Sequence, residues 1–268
     1  MFARSSPKNL TVIHRLSPKA RIDRSRSYGF VVGKFETENQ AKLEKLRQRR
    51  YWLTILSAGA VGAGGFAGFA TLNPLLLAPV LTSLSLVGGD LQGTSQKFLL
   101  MSDLVEAFEE EDIAIEVGLK LDELPDIDFF LRFPDKEFVL IKIRSLSAST
   151  IFYSEEREVL RFVKKQRGIK SWQPDPLIEI AQQERWLRKH RPDLLGGSSR
   201  DKRRPLAKLL VLWTDTTLGE HPEHLYVTMD DQKFLTIRKM GTTTIVEKDQ
   251  VVSFIRGYLA SRRSQKTS

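Results

Sequence analysis

The chain of 268 residues has no cysteine. That excludes disulfides, thiolate metal sites and cysteine nucleophiles together, and it fits a domain on a cytosolic side. Histidine is scarce, with four in all. His14 and His190 stand alone. His221 and His224, in the run His221-Pro222-Glu223-His224, form half a metal site at most, and a surface turn is the simpler reading. The sequence also lacks a Gly-x-x-x-x-Gly-Lys-Ser/Thr phosphate loop and a Gly-x-Ser-x-Gly nucleophile elbow. Charge of one sign is missing from most of the molecule as well. Residues 1–50 hold 13 Lys/Arg against 4 Asp/Glu, and the remainder carries 29 of each. The excess of nine positive charges therefore belongs to the N-terminal segment. Such a tail attracts phosphate, of nucleic acid or of anionic lipid, or simply sets topology beside a membrane.

The most conspicuous absence is local. Residues 51–89 contain no Asp, Glu, Lys, Arg or His. About 20 apolar residues span a bilayer as a helix, and Asn73-Pro74 is a turn signal near the middle. The segment predicts a transmembrane helical hairpin with arms at 51–71 and 75–89. Ala60, Gly64 and Gly68 lie four apart and form a small-residue stripe on which the leucine-rich second arm can pack. Lys42, Lys45, Arg47, Arg49 and Arg50 precede the first arm, with Tyr51 and Trp52 at the interface. Positive flanks stay cytoplasmic. Both termini of an integral membrane protein are then cytoplasmic, with membrane lipid as one partner. A signal peptide is excluded by position and length. A glycine-rich hairpin buried in a soluble protein and a re-entrant second arm stay open.

Around the hairpin the chain divides into a basic flexible arm (1–35), a juxtamembrane helix (36–50), an α/β domain (98–260) and a short tail (261–268). Tyr28 to Gly33 is an apolar patch in the arm. Leu100, Leu104 and Phe108 mark an amphipathic helix over 97–111. Residues 127–133 and 137–143 read as strands turning at Pro134, Asp135 and Lys136. Ser154, with Glu155 and Glu156 after it, reads as a helix N-cap, and Gly168 as the matching C-cap. A second helix runs from Asp175-Pro176 to about His190, and 191–204 is a basic loop. Residues 205–214 (PLAKLLVLWT) form the most buried strand, followed by short strands at 225–229, 234–239 and 244–246 and an amphipathic helix at 249–260.

Two passages carry a resemblance. Pro125-Asp126-Ile127-Asp128 opens the first strand, and Lys142-Ile143-Arg144 ends the second. In this order of elements the region 98–260 resembles the PD-(D/E)xK, or restriction-endonuclease-like, nuclease fold. The resemblance implies a mixed sheet flanked by helices. In the family two carboxylates hold a divalent metal and a lysine activates water. Here the carboxylate position reads Lys142 and the lysine position Arg144, and a cation there repels Mg²⁺. Asp126, Asp128 and a helix glutamate, Glu106 or Glu109, would remain as metal ligands if the site were active, with Lys142 and Arg144 beside them. Pairing Glu137 with Lys142 instead puts the two on opposite faces of a strand. The expected protein is a membrane-anchored, non-catalytic module without a cofactor, which binds another protein as an assembly factor or scaffold. The alternative is a Mg²⁺-dependent nuclease or a nucleic-acid-binding protein.

Overall fold

The structure, a computed structural model, describes residues 35–71, 77–164, 167–196, 198, 203–213 and 215–267, the side chains of 60–71, 77–86, 167 and 267 excepted. The basic arm at 1–34 and its patch at 28–33 lie outside the described residues.

Two long helices open the fold, α1 (Glu36–Thr71) and α2 (Leu77–Ala107). They lie against each other. Their short connection at 72–76 makes them antiparallel. The helix expected at 97–111 is not separate but forms the last turns of α2. At about 1.5 Å per residue each helix is roughly 45–55 Å long. Among the described residues no helix is long and apolar enough to cross a membrane. The backbone hairpin is present, but the described residues do not supply the membrane span expected at 51–89. The stripe Ala60, Gly64 and Gly68 falls among side chains outside the description.

The base of the hairpin is built into the α/β domain. Leu100, Met101 and Leu104 of α2 are fully buried, and Leu43 and Leu46 of α1 pack on the same core. The first strand, β1 (Ala114–Leu119), is an edge strand that periodicity left unread. Asn39 covers that edge with both halves of its amide, donating to the Ile113 carbonyl at 2.8 Å and accepting from the Ile115 amide at 3.2 Å. Lys42 adds a bond to the Ile115 carbonyl at 2.8 Å and a pair with Glu116 at 3.1 Å. An edge strand with free amides invites pairing with another chain. Here α1 takes that place.

The main sheet continues with β2 (Ile127–Arg132) and β3 (Phe138–Arg144), antiparallel as expected, with Lys136 in the left-handed region at the turn. Both are apolar on two faces, which buries them between layers. The later strands are β4 (Ser149–Ser154), β5 (Val159–Lys164), β6 (Arg167–Ser171), β7 (Leu206–Leu212), β8 (Thr216–Leu218), β9 (Tyr226–Met229), β10 (Gln232–Ile237) and β11 (Thr243–Glu247). The large sheet has seven strands in the order β1-β2-β3-β7-β11-β10-β9. Its centre is parallel, β3 to β7 and β7 to β11, and its wings are antiparallel. One face packs on α2 and on α4 (Val251–Thr267), through Phe129, Ile141, Val211 and Phe254. The chain is thus α/β, with a mixed sheet flanked by helices. The segment 261–267, set apart above as a tail, forms the end of α4 and pairs Arg262 and Lys266 with buried Glu137.

On the other face sit α3 (Pro176–His190) and a second sheet in the order β6-β5-β4-β8. The helix read between Ser154 and Gly168 is absent. Ser and acidic residues after an apolar run signal a turn as well as an N-cap. Residues 155–158 are that turn, with Glu158 at φ +50° and its amide on the Glu155 carbonyl. β4 and β5 pair antiparallel across it, burying Ile151 and Leu160 against Leu210 and Leu212. By contrast α3 starts where Asp175 predicts, its carboxylate accepting from the Leu177 amide at 2.9 Å.

Candidate functional site

The N-terminal end of β2 and the C-terminal end of β3 meet α2 and α3 at a cluster of ionic side chains. Asp128 on β2 is almost buried. One carboxylate oxygen pairs with Lys97 of α2 at 2.9 Å. The other accepts from the Ile143 amide at 2.9 Å and lies 3.8 Å from the Lys142 ammonium. Lys142, 2% exposed, donates to the Asp126 carbonyl at 2.7 Å. Arg144 forms a close pair with Glu179 in the first turn of α3. Gln183, one turn further along α3, donates to the carbonyls of Pro125 and Asp126 at 2.8 and 3.0 Å.

The electrostatics follow from burial and count. Three cations, Lys97, Lys142 and Arg144, face two carboxylates, Asp128 and Glu179. Burial pushes the Lys142 amine below its ordinary value, Asp128 draws it back, and Arg144 lowers it again. A buried ammonium keeps its charge only with a partner this close.

The residues predicted for a nuclease site divide accordingly. Asp128, Lys142 and Arg144 converge, but Asp126 turns its side chain outward to Lys120 at 2.6 Å and contributes only its backbone carbonyl. Glu106 and Glu109 are exposed and do not join. Lys97 holds the position on α2 that faces Asp128, and Glu106 lies nine residues later, about 13 Å along the helix. Glu137 lies at the opposite end of β3, against Tyr258 and Arg262. A divalent metal needs several oxygen donors with a net negative charge. The donor set here is two carboxylates, Asp128 already held by two ammonium groups and an amide and Glu179 by Arg144, and it does not fit Mg²⁺. Among the described residues no group of three or more His, Asp or Glu is placed to hold a metal ion.

The two histidines of 221–224 do not act together. His221 accepts from the Tyr153 amide on Nε2 at 2.8 Å and donates from Nδ1 to the Gly219 carbonyl at 2.7 Å. Burial lowers its pKa, opposed by the bond to Gly219. His224 pairs with Glu155 at 2.8 Å. His190 stacks near Trp186 at 4.9 Å between centroids.

Of the flanking cations, Lys42 is engaged on β1, as above, and Arg50 lies over the Phe98 ring at 4.2 Å. Lys45, Arg47 and Arg49 are exposed. Past them Tyr51, Trp52, Ile55 and Leu56 are exposed, as is Leu99 on α2.

Sequence reasoning missed Lys97, Glu179 and Gln183. Glu179 and Gln183 carried a legible signal. They are polar residues four apart, on a helix whose Ile180 and Leu187 are core positions. Comparison of the chain with protein-family models, with curated proteins and with solved structures gives no match.

Proposed function

We propose that the protein is a non-catalytic binding module tethered to a membrane by the α1–α2 hairpin, with the α/β domain presenting a surface to a protein partner. The observation that carries this reading is the belt at the hairpin's base. Tyr51, Trp52, Ile55 and Leu56 are exposed immediately after the exposed cations Lys45, Arg47 and Arg49. That sequence of cations, aromatic residues and then a charge-free stretch is the pattern of a membrane interface. The rooted base supports the tethering role. Because α2 runs unbroken from the apolar segment into the core, the domain would be held at a fixed angle to the bilayer.

The Asp128 cluster supports the non-catalytic half. The order α2, β1, β2, β3, α3, β7 follows the nuclease-like skeleton, interrupted by the β4–β6 meander, and the carboxylate is neutralised by lysines. A restriction-endonuclease-like ancestry with a dismantled metal site accounts for both. Chemical cross-linking of the full chain in its native membranes, followed by detergent extraction and sizing, tests the proposal. A discrete complex larger than the monomer, lost on high-pH washing only together with the membrane, is expected. A chain recovered as a monomer from the soluble fraction contradicts it, and metal-dependent cleavage of DNA by the purified chain would sink the non-catalytic half.

A further inference from the structure

A second concave site lies at the far end of the sheet from the hairpin. β3 pairs with β7 from its first residue, Phe138 opposite Leu206. β11 joins β7 only from Thr244, opposite Leu209. Residues 206–208 therefore have one uncovered edge, and a cleft of about 460 Å³ opens there. That is the size of a small-molecule site.

The lining is unbalanced in charge. Arg188, Arg203, Arg204, Lys208 and Arg238 face it, against one acid, Glu184. Lys208, 3% exposed, and Arg188 share that carboxylate at 2.7 and 2.8 Å. Arg203 and Arg238 have no hydrogen-bond or ion-pair partner among the described residues. The arrangement is built rather than incidental. Gly241, at φ +97°, leaves room for the Lys208 ammonium, which a Cβ would meet at 2.6 Å. Thr236 and Thr244 add hydroxyls 3.2 Å apart, and Leu206, Phe254 and Tyr258 give an apolar side.

We infer that this cleft binds a small phosphate monoester with a compact apolar body. The two arginines without a partner among the described residues, Arg203 and Arg238, match the charge of a dianion better than that of a carboxylate, and arginine forks with hydroxyls match the several oxygens of a phosphate. The source is a soluble ester rather than a lipid headgroup. α2 enters the domain beside Asp128, at the end of β3, whereas the cleft sits at its beginning. This last step rests on the membrane reading of the hairpin. The binding itself does not.

Equilibrium dialysis of 1-naphthyl phosphate against the detergent-solubilised full chain tests the inference. Saturable binding is expected, at least tenfold tighter than for 1-naphthoate or inorganic phosphate. The R203A/R238A double variant, altered only at exposed positions, is expected to lose at least tenfold. Absence of saturable binding, or binding unchanged in the double variant, overturns the site, and equal affinity for 1-naphthoate overturns the phosphate assignment. Competition by phosphatidic acid vesicles, but not by phosphatidylcholine vesicles, overturns the soluble source and leaves the cleft as a headgroup site.

Discussion

Asp128 illustrates how one residue decides between chemistries. With Lys97 at 2.9 Å and Lys142 at 3.8 Å it is a counterion, and it holds the end of β3 through the Ile143 amide. Asp128→Ala would leave a buried ammonium uncompensated, a loss of about 3–5 kcal/mol in unfolding free energy. Lys142→Met keeps the volume and leaves Asp128 with Lys97, so its cost should be much smaller, within about 1–2 kcal/mol. Denaturant titration of the two variants distinguishes them; equal losses would contradict the counterion role. His221 makes a prediction in pH. Its imidazole is held below the ordinary value of 6.5, chiefly by burial. Between that lowered value and 6.5 the unfolded chain binds a proton that the fold excludes. Stability should therefore fall as the pH drops through this window and level off beneath it. His221→Gln should flatten that part of the profile, measured as the urea midpoint between pH 7.5 and 5. These roles were only half legible in the chain. Lys142 and Arg144 were visible as cations where a metal site needs a carboxylate. The neutralisation of Asp128 by Lys97 and of Arg144 by Glu179 was not, because these pairs lie 31 and 35 positions apart and meet only in the fold.

At the scale of elements, α1 does two jobs. It forms one arm of the hairpin, and its first turns seal the β1 edge. Asn39→Leu removes both bonds to that edge and leaves a buried carbonyl and amide unpaired. A loss of about 2–4 kcal/mol is expected, with faster hydrogen exchange at the Ile115 amide; unchanged exchange there would refute the sealing role. The elements easiest to read in the sequence were those with a single strong pattern: α3 with its Asp175 cap, the β2–β3 hairpin and apolar β7. The β4–β6 meander was misread because its turn, Glu155 to Glu158, has the composition of a helix start. The short apolar runs around Ile151 and Leu160, one buried residue in each strand, were the competing signal. In β1 the apolar Ile115, Val117 and Leu119 alternate with Ala114, Glu116 and Gly118, a period-two signal so short that it was passed over.

For the whole molecule, the charge partition and the hairpin give one arrangement. The base of the hairpin emerges at the C-terminal ends of the central strands, ringed by Tyr51, Trp52, Ile55 and Leu56. The basic cleft lies at the other end. A domain so placed would keep the Asp128 cluster toward the bilayer and the cleft toward water. Because the chain has no cysteine, single cysteines can report this directly. Asn73→Cys marks the connection between the two helices, and Glu220→Cys marks an exposed loop of the domain. Both are to be labelled with a membrane-impermeant maleimide in intact vesicles that present the domain outward, then again in detergent. Labelling of Glu220→Cys alone in intact vesicles, and of both in detergent, is the result the tethered-module account predicts. Equal labelling of Asn73→Cys and Glu220→Cys in intact vesicles would contradict it.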